Sequence, residues 1–194
     1  MEIERKWMVA GWPEQSAPFH SASEAVPQPA RQRAAKSNDS PLPLLYTEYQ
    51  EQGYLHTQAP IVRVRMEERH AENDTAAHTQ YILCFKSAGL LSREEIEIKI
   101  GKEDFQRLAG LAGKPLIRKE RRVYRLPGDL ALEVNLVDKG LPSEFMYAEV
   151  EFSSEAQARS FDPASIGLGD YLADDVTEKP GQSMSAYWAR TRNA

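Results

Sequence analysis

The chain has 194 residues, of which 41% are hydrophobic and 27% charged, with a mass of 21.9 kDa and a mean hydropathy of −0.56. These values exclude wholesale disorder and fit one soluble globular domain spanning residues 1–194. The formal net charge of −5 supplies no global basic field for nucleic acid or an anionic membrane, so any anion must be held locally. No apolar run reaches the roughly 20 residues that span a bilayer, and the first residues are charged where a signal peptide is apolar, so the expected location is cytoplasmic.

In chain order, Met1–Val9 alternates with period two, placing Glu2, Glu4 and Lys6 on one face and Ile3 on the other. Pro13–Pro43 carries half of the twelve prolines together with Ser and Ala repeats. Its composition buries too little apolar surface to offset ordering entropy, and it is expected to be a mobile insertion at about 13–43. Ile61–Glu67 is the next strand, with Arg63 and Arg65 on one face and Val62 and Val64 on the other. The polar stretch Glu67–Thr79, which holds Asn73-Asp74, is expected to be a hairpin loop leading into a strand at Gln80–Ser87. Ser92–Ile100, Ile117–Leu126, Leu130–Val137 and Met146–Ser153 also alternate as strands. Helical spacing appears at Phe105, Leu108, Ala109 and Ala112 in residues 102–112, behind Ser154 with Gln157 as a capping box, and at Met184, Tyr187, Trp188 and Thr191. The fold class is mainly β, with helices attached.

The paired charges on these strands are sorted by sign. Glu95 with Glu97 and Glu149 with Glu151 offer carboxylates two apart, while Arg63 with Arg65 and Lys119 with Arg121 offer only cations. A half-buried sheet with its charges in water accounts for the alternation alone. Sorting by sign points instead to a closed sheet with these faces inward, binding a polyanion with its cations and Mg²⁺ or Mn²⁺ with its carboxylates. One cysteine, Cys84, and four histidines form neither a disulfide nor a soft-metal cluster, and Cys84 reads as a small buried residue.

Glu2-Ile3-Glu4-Arg5-Lys6 matches the E-x-E-x-K motif of the CYTH, or triphosphate tunnel metalloenzyme, superfamily. The resemblance continues in order through Gln52-Gly53-Tyr54-Leu55, Arg63-x-Arg65, Phe85-Lys86, Arg93-Glu94-Glu95-Ile96-Glu97, Lys119-x-Arg121, Glu133 and Glu149-x-Glu151. It implies a closed eight-stranded antiparallel β-barrel whose interior is a charged tunnel, with helices packed outside. By the family pattern Glu2, Glu4, Glu149 and Glu151 match metal ligands, and Lys6, Arg63, Arg65, Lys86, Lys119 and Arg121 match substrate-binding cations. Glu4, Lys86 and Glu151 are the residues assigned to catalysis, and Glu95, Glu97 and Glu133 are further tunnel acids, with charge compensation of neighbouring cations as their other reading.

The implied activity is hydrolysis of inorganic triphosphate or a similar small polyphosphate, dependent on Mg²⁺ or Mn²⁺ and without a covalent intermediate. An adenylate cyclase or thiamine triphosphatase of the same superfamily, acting on an organic or nucleoside triphosphate, and a non-catalytic polyphosphate-binding module are the alternatives. The partner is a small molecule, with no nucleic acid or membrane, and a second copy of the chain in a homodimer is a further candidate. Three positions depart from the family pattern: Asn135 where an acid is frequent, Gly181 where an Arg is expected, and Met184 where an Asn is expected.

Overall fold

The computed structural model describes residues 1–15, 42–71 and 76–192. Ten strands and three helices follow in chain order: β1 (Glu2–Met8), β2 (Leu44–His56), β3 (Ile61–Ala71), β4 (His78–Lys86), β5 (Ser92–Arg93), β6 (Glu95–Ile100), α1 (Lys102–Ala112), β7 (Ile117–Arg125), β8 (Ala131–Val137), β9 (Phe145–Glu151), α2 (Glu155–Ser160), β10 (Asp174–Asp175) and α3 (Met184–Thr191). Most of the expected mobile insertion, and Asn73-Asp74 of the expected hairpin loop, lie outside the described residues. At the insertion's two ends, Pro13–Gln15 forms a 3-10 turn and Leu42 is buried.

The sheet runs β10-β1-β9-β8-β7-β2-β3-β4-β6, every neighbouring pair antiparallel, and β5 returns to pair with β1. Since only Glu94 separates β5 from β6, these two together take the eighth place in a nearly closed barrel. β3 and β4 extend further toward their shared turn than the sequence pattern indicates, remaining paired as far as Arg69↔His78.

The wall is turned inside out relative to a soluble sheet. Apolar residues of β1, β8 and β9 point outward, where Ile3, Trp7, Leu132, Val134, Ala148 and Val150 pack beneath Ala158, Leu168 and Leu172 in one core. A second core joins Tyr54, Ile117, Val137 and Tyr147 to Tyr187 and Trp188 of α3. Inside the ring are charges that a sheet normally exposes: Lys6, Glu48, Arg63, Arg65, Glu67 and Lys119 are all buried. Burial of so many charges is tolerable only where each meets an opposite charge or hydrogen-bond partner.

β2 was not legible as a strand. Its inward side chains Glu48, Gln50 and Gln52 are polar, and outward Tyr49 and Glu51 reach solvent, so neither face carries an apolar stripe. Its partner strands β3 and β7 specify it, through long registers on both edges. Gly53 is required by close packing, for a Cβ there would stand 2.7 Å from the Leu116 side chain and 3.5 Å from Trp188.

α1 begins after Gly101 and ends at Gly113, whose φ of 66° supplies the left-handed cap. α2 is capped by Ser154 Oγ, which accepts from the Gln157 amide, and the Gln157 side chain accepts from Ser153 N–H. Ser183 caps α3 in the same way through the Ala186 amide. No described helix is long and apolar enough to cross a membrane.

Candidate active site

The inward faces enclose a cavity of about 470 Å³. Every residue that the sequence pattern assigns to the site lines it: Glu2, Glu4 and Lys6 from β1, Arg63 and Arg65 from β3, Lys86 from β4, Glu95 and Glu97 from β6, Lys119 and Arg121 from β7, Glu133 from β8, and Glu149 and Glu151 from β9. The i, i+2 spacing within each strand puts both members of a pair inside, and the register sets pairs on neighbouring strands side by side. Glu4 stands opposite Glu151, and Lys6 opposite Glu149.

Among the lining residues outside that assignment, Arg93, Tyr147, Tyr54 and Thr177 contact the assigned set or its supports. Arg93, on two-residue β5, points its Nε to Glu2 and its Nη2 to Glu4, both at 2.6 Å. Its parity with Glu95 and Glu97 was the available signal. Tyr147 shares parity with Glu149 and Glu151, and Lys6 Nζ lies 3.6 Å from its ring centre. Tyr54 hydroxyl accepts from Gln52 Nε2 at 3.0 Å. Thr177 lines the mouth, where its hydroxyl accepts from the Lys6 amide.

The remaining charges interlock. Lys86 Nζ is 3.0 Å from both Glu2 and Glu95; Glu97 bridges Arg63 at 3.2 Å and Arg65 at 2.9 Å. Lys6 meets Glu149 at 3.2 Å, and Arg121 meets Glu133 at 2.7 Å. Asn135, where the family pattern favours an acid, is fully buried and accepts from Arg121 Nε at 3.0 Å, so a neutral acceptor orients that guanidinium.

This packing shifts protonation. Burial, then the charge of Glu149, pushes Glu4 up to about 7 despite the pull of Arg93. Glu151, at the solvent-reached rim, is also pushed up to about 7, by desolvation and then by Glu133 and Glu2. Burial raises Glu95 as well, but hydrogen bonding with Glu2 and the charge of Lys86 outweigh it and leave the carboxyl at about 2. Burial and neighbouring Arg121 hold Lys119 well below its usual range. Desolvation and a hydrogen bond to Glu95 push the Cys84 thiol up to about 11, which makes it a poor nucleophile.

One oxygen each from Glu2, Glu4 and Glu151 lies within 4.8 Å of the others. That donor set, hard and anionic, fits a divalent cation such as Mg²⁺ or Mn²⁺. Glu149 was expected as a fourth ligand, and the structure turns it to Lys6. At the mouth, Lys179 lines the cavity but its Nζ is 2.8 Å from Asp174. Gly181 is exposed, with φ of 80°, and does not line the cavity, whereas Met184 does.

The geometry has clear counterparts among known proteins. No protein-family profile matches the chain. The inorganic triphosphatase of Nitrosomonas europaea is 32% identical over 127 residues, covering 66% of this chain and 75% of that protein. The crystal structure of an inorganic triphosphatase matches 96% of this chain and 93% of its own, with a TM-score of 0.52 and 24% identity. A Hippeastrum adenylyl cyclase candidate with a dominant triphosphatase activity matches 100% and 98%, with a TM-score of 0.59 and 17% identity. Given the relative's identity and coverage, and the inward-facing motif residues, the chain belongs to the CYTH, or triphosphate tunnel metalloenzyme, superfamily.

Proposed function

We propose that the protein hydrolyses inorganic triphosphate, using a divalent cation held by Glu2, Glu4 and Glu151. The observation that carries this reading is the convergence of Lys6, Arg63, Arg65, Lys86, Lys119 and Arg121, from four strands, on one cavity beside a trio of carboxylates. Similarity to the Nitrosomonas triphosphatase supports it. Lining cations and acids nearly cancel, eight against seven among the described residues. A polyanion therefore needs additional positive charge, which a divalent cation brings.

The bound cation supplies charge neutralisation and polarises a phosphoryl oxygen. The chain's own residues do the positioning. Arg63, Arg65 and Arg121 present planar forks matched to phosphate oxygens, and Lys86, Lys119 and Lys6 add point charges. As a phosphate arrives, these cations exchange carboxylate partners for phosphoryl oxygens, and the released Glu97, Glu133 and Glu149 remain close enough to keep the cations aligned. Burial, and then the charge of Arg121, lowers the Lys119 ammonium well below its usual range, and an anion beside it acts in the opposite direction. Burial of Lys6, Arg63, Arg65 and Lys119 inside the nearly closed wall lets these charges act at short range with little screening.

The described lining favours an inorganic chain over an organic group. Its two aromatic rings, Tyr54 and Tyr147, are buried, and Lys6 covers one of them, leaving no free ring for a base or thiazole. A reducing, cytoplasmic setting belongs to the same reading, supported by the single buried Cys84. Phosphate release from triphosphate, pyrophosphate, ATP and thiamine triphosphate, each with Mg²⁺ or Mn²⁺, tests the proposal. Selective release from triphosphate is expected. Binding without release would identify a polyphosphate-binding module, and preference for ATP or thiamine triphosphate would identify one of the other enzymes.

A further inference from the structure

Resting on the triphosphatase reading, we infer that Tyr147 is a positioning residue for the substrate: its hydroxyl aims the Lys119 ammonium at a phosphoryl oxygen, and its ring face supports Lys6. Tyr147 is 1% exposed and lines the cavity from β9. Its hydroxyl accepts from Lys119 Nζ at 3.3 Å, and Lys6 Nζ stands 3.6 Å from the ring centre. One phenol thus holds two of the cations assigned to substrate, from β1 and β7, strands that do not adjoin.

What sets Lys119 apart is the charge of its partner. Lys6 pairs with Glu149, Arg63 and Arg65 with Glu97, Lys86 with Glu2 and Glu95, and Arg121 with Glu133. Among the described residues Lys119 has no carboxylate partner, only the Tyr147 hydroxyl. The strand register accounts for this. Lys119 stands opposite Gln50 of β2, whose Nε2 donates to Glu48, and opposite the apolar Val137 of β8. Arg121, Arg65 and Arg63 repel the ammonium, and Glu149, which attracts it, is paired with Lys6. The Tyr147 hydroxyl therefore fixes its direction.

The neutrality of that partner matters for binding. The other cations meet an arriving phosphate by exchanging a carboxylate, whereas Lys119 exchanges nothing. Its ammonium has further N–H donors, so it keeps Tyr147 and adds a phosphoryl oxygen through a charge-assisted bond, stronger than the one to a phenol. A carboxylate at residue 147 would cancel the charge that the anion needs. The phenol does not, because burial and the charge of Glu149 push its hydroxyl well above the usual phenol range and keep it protonated. The ring is fixed from behind, in a core with Tyr54, Ile117 and Val137, and stacks on Phe145 with centroids 5.8 Å apart. An apolar side chain would satisfy that packing alone; the hydroxyl is what reaches Lys119.

Two measurements test the inference: the kinetics of triphosphate hydrolysis with Mg²⁺, and titration with a triphosphate analogue whose bridging oxygens are methylene groups. Tyr147→Phe removes the hydroxyl and keeps the ring. It should weaken analogue binding and lower kcat/KM by about tenfold each, as loss of one charged hydrogen bond does. In a Lys119→Gln background the same change should act within about twofold, since no ammonium is left to aim, whereas in a Lys86→Gln background the loss of about tenfold should persist. A merely structural role would lower the melting temperature and give equal losses in both backgrounds. Tyr147→Leu, which also withdraws the ring from Lys6, should lose more than Tyr147→Phe. If Tyr147→Phe alone does not fold, its combination with Lys119→Gln, which buries no unmet ammonium, should fold and bind as Lys119→Gln does, and a combination that fails to do so would overturn the inference. Unchanged binding in Tyr147→Phe, or equal losses in the two backgrounds, would overturn it while leaving the triphosphatase reading intact. A wild-type chain that neither binds the analogue nor releases phosphate would overturn both.

Discussion

Metal affinity should depend steeply on pH, and the structure sets the size of the dependence. Glu4 and Glu151 are both pushed up to about 7 in the metal-free cavity, and a divalent cation binds only their ionised forms. For a carboxyl with that value, the ionised fraction is about one in eleven at pH 6 and about ten in eleven at pH 8. Glu4 alone therefore makes binding about tenfold weaker at pH 6. If rim residue Glu151 keeps its whole shift against solvent screening the factor approaches about 100-fold. Calorimetric titration with Mn²⁺ at pH 6, 7 and 8, without substrate, reads this directly. Repeating it in two buffers of different ionisation enthalpy counts the released protons, between one and two at pH 6 and near zero at pH 8. Glu4→Gln should lower the affinity at pH 8 and remove about half of the proton release. Affinity that is flat from pH 6 to 8, with no proton released, would refute the placement of the cation on these carboxylates.

Lys86→Gln removes the one cation that holds both Glu2 and Glu95; loss of a charged hydrogen bond of about 1.5–3 kcal/mol should weaken triphosphate binding roughly ten- to 150-fold by direct titration. Asn135→Leu leaves Arg121 Nε without its acceptor inside the barrel, and should destabilise by about 1–3 kcal/mol in chemical denaturation, whereas Asn135→Asp should keep triphosphate affinity within about threefold. Gly181→Arg should leave turnover unchanged, because residue 181 does not line the cavity, and should cost about 1–2 kcal/mol, because its φ of 80° disfavours a side chain. A raised turnover would show instead that the arginine reaches substrate. Acid should unfold the protein through Glu95 and Glu149, both held below the usual carboxylate range. Their contribution is present above about pH 4.5 and is lost as pH falls toward 2, so melting temperature should decline across that window, and a flat profile would contradict those ion pairs.

Most of the barrel is written in the alternation of its strands, yet the same alternation also describes an ordinary sheet with charges in water. What separates the two is where the apolar residues go. Ile3, Trp7 and Val150 are covered by chain from beyond β9, a long-range event that periodicity in β1 or β9 does not announce. β2 escaped the pattern because Glu48, Gln50 and Gln52 are polar residues facing inward, which only the charged interior of the finished ring permits. The paired charges were legible because i, i+2 spacing fixes a common face. Arg93 was less so, since its role depends on the pairing of β5 with β1 rather than on its own strand. The division of labour between Glu149 and Glu151 was also invisible, because both share one face and only the cross-strand register gives Lys6 to the first.

The ring is fastened at its narrowest point by very little main chain. β5 contributes two paired residues and one further bond, from the Glu4 amide to the Leu91 carbonyl, and Arg93 reinforces this clasp from inside by gripping Glu2 and Glu4. A divalent cation held by those carboxylates would compete with that grip and so loosen the clasp. The β1–β5 boundary is accordingly the place where the barrel breathes first. Amide hydrogen exchange at Glu4 should outpace exchange at the centre of the long β2–β3 ladder, and should quicken further when Arg93 releases its hold.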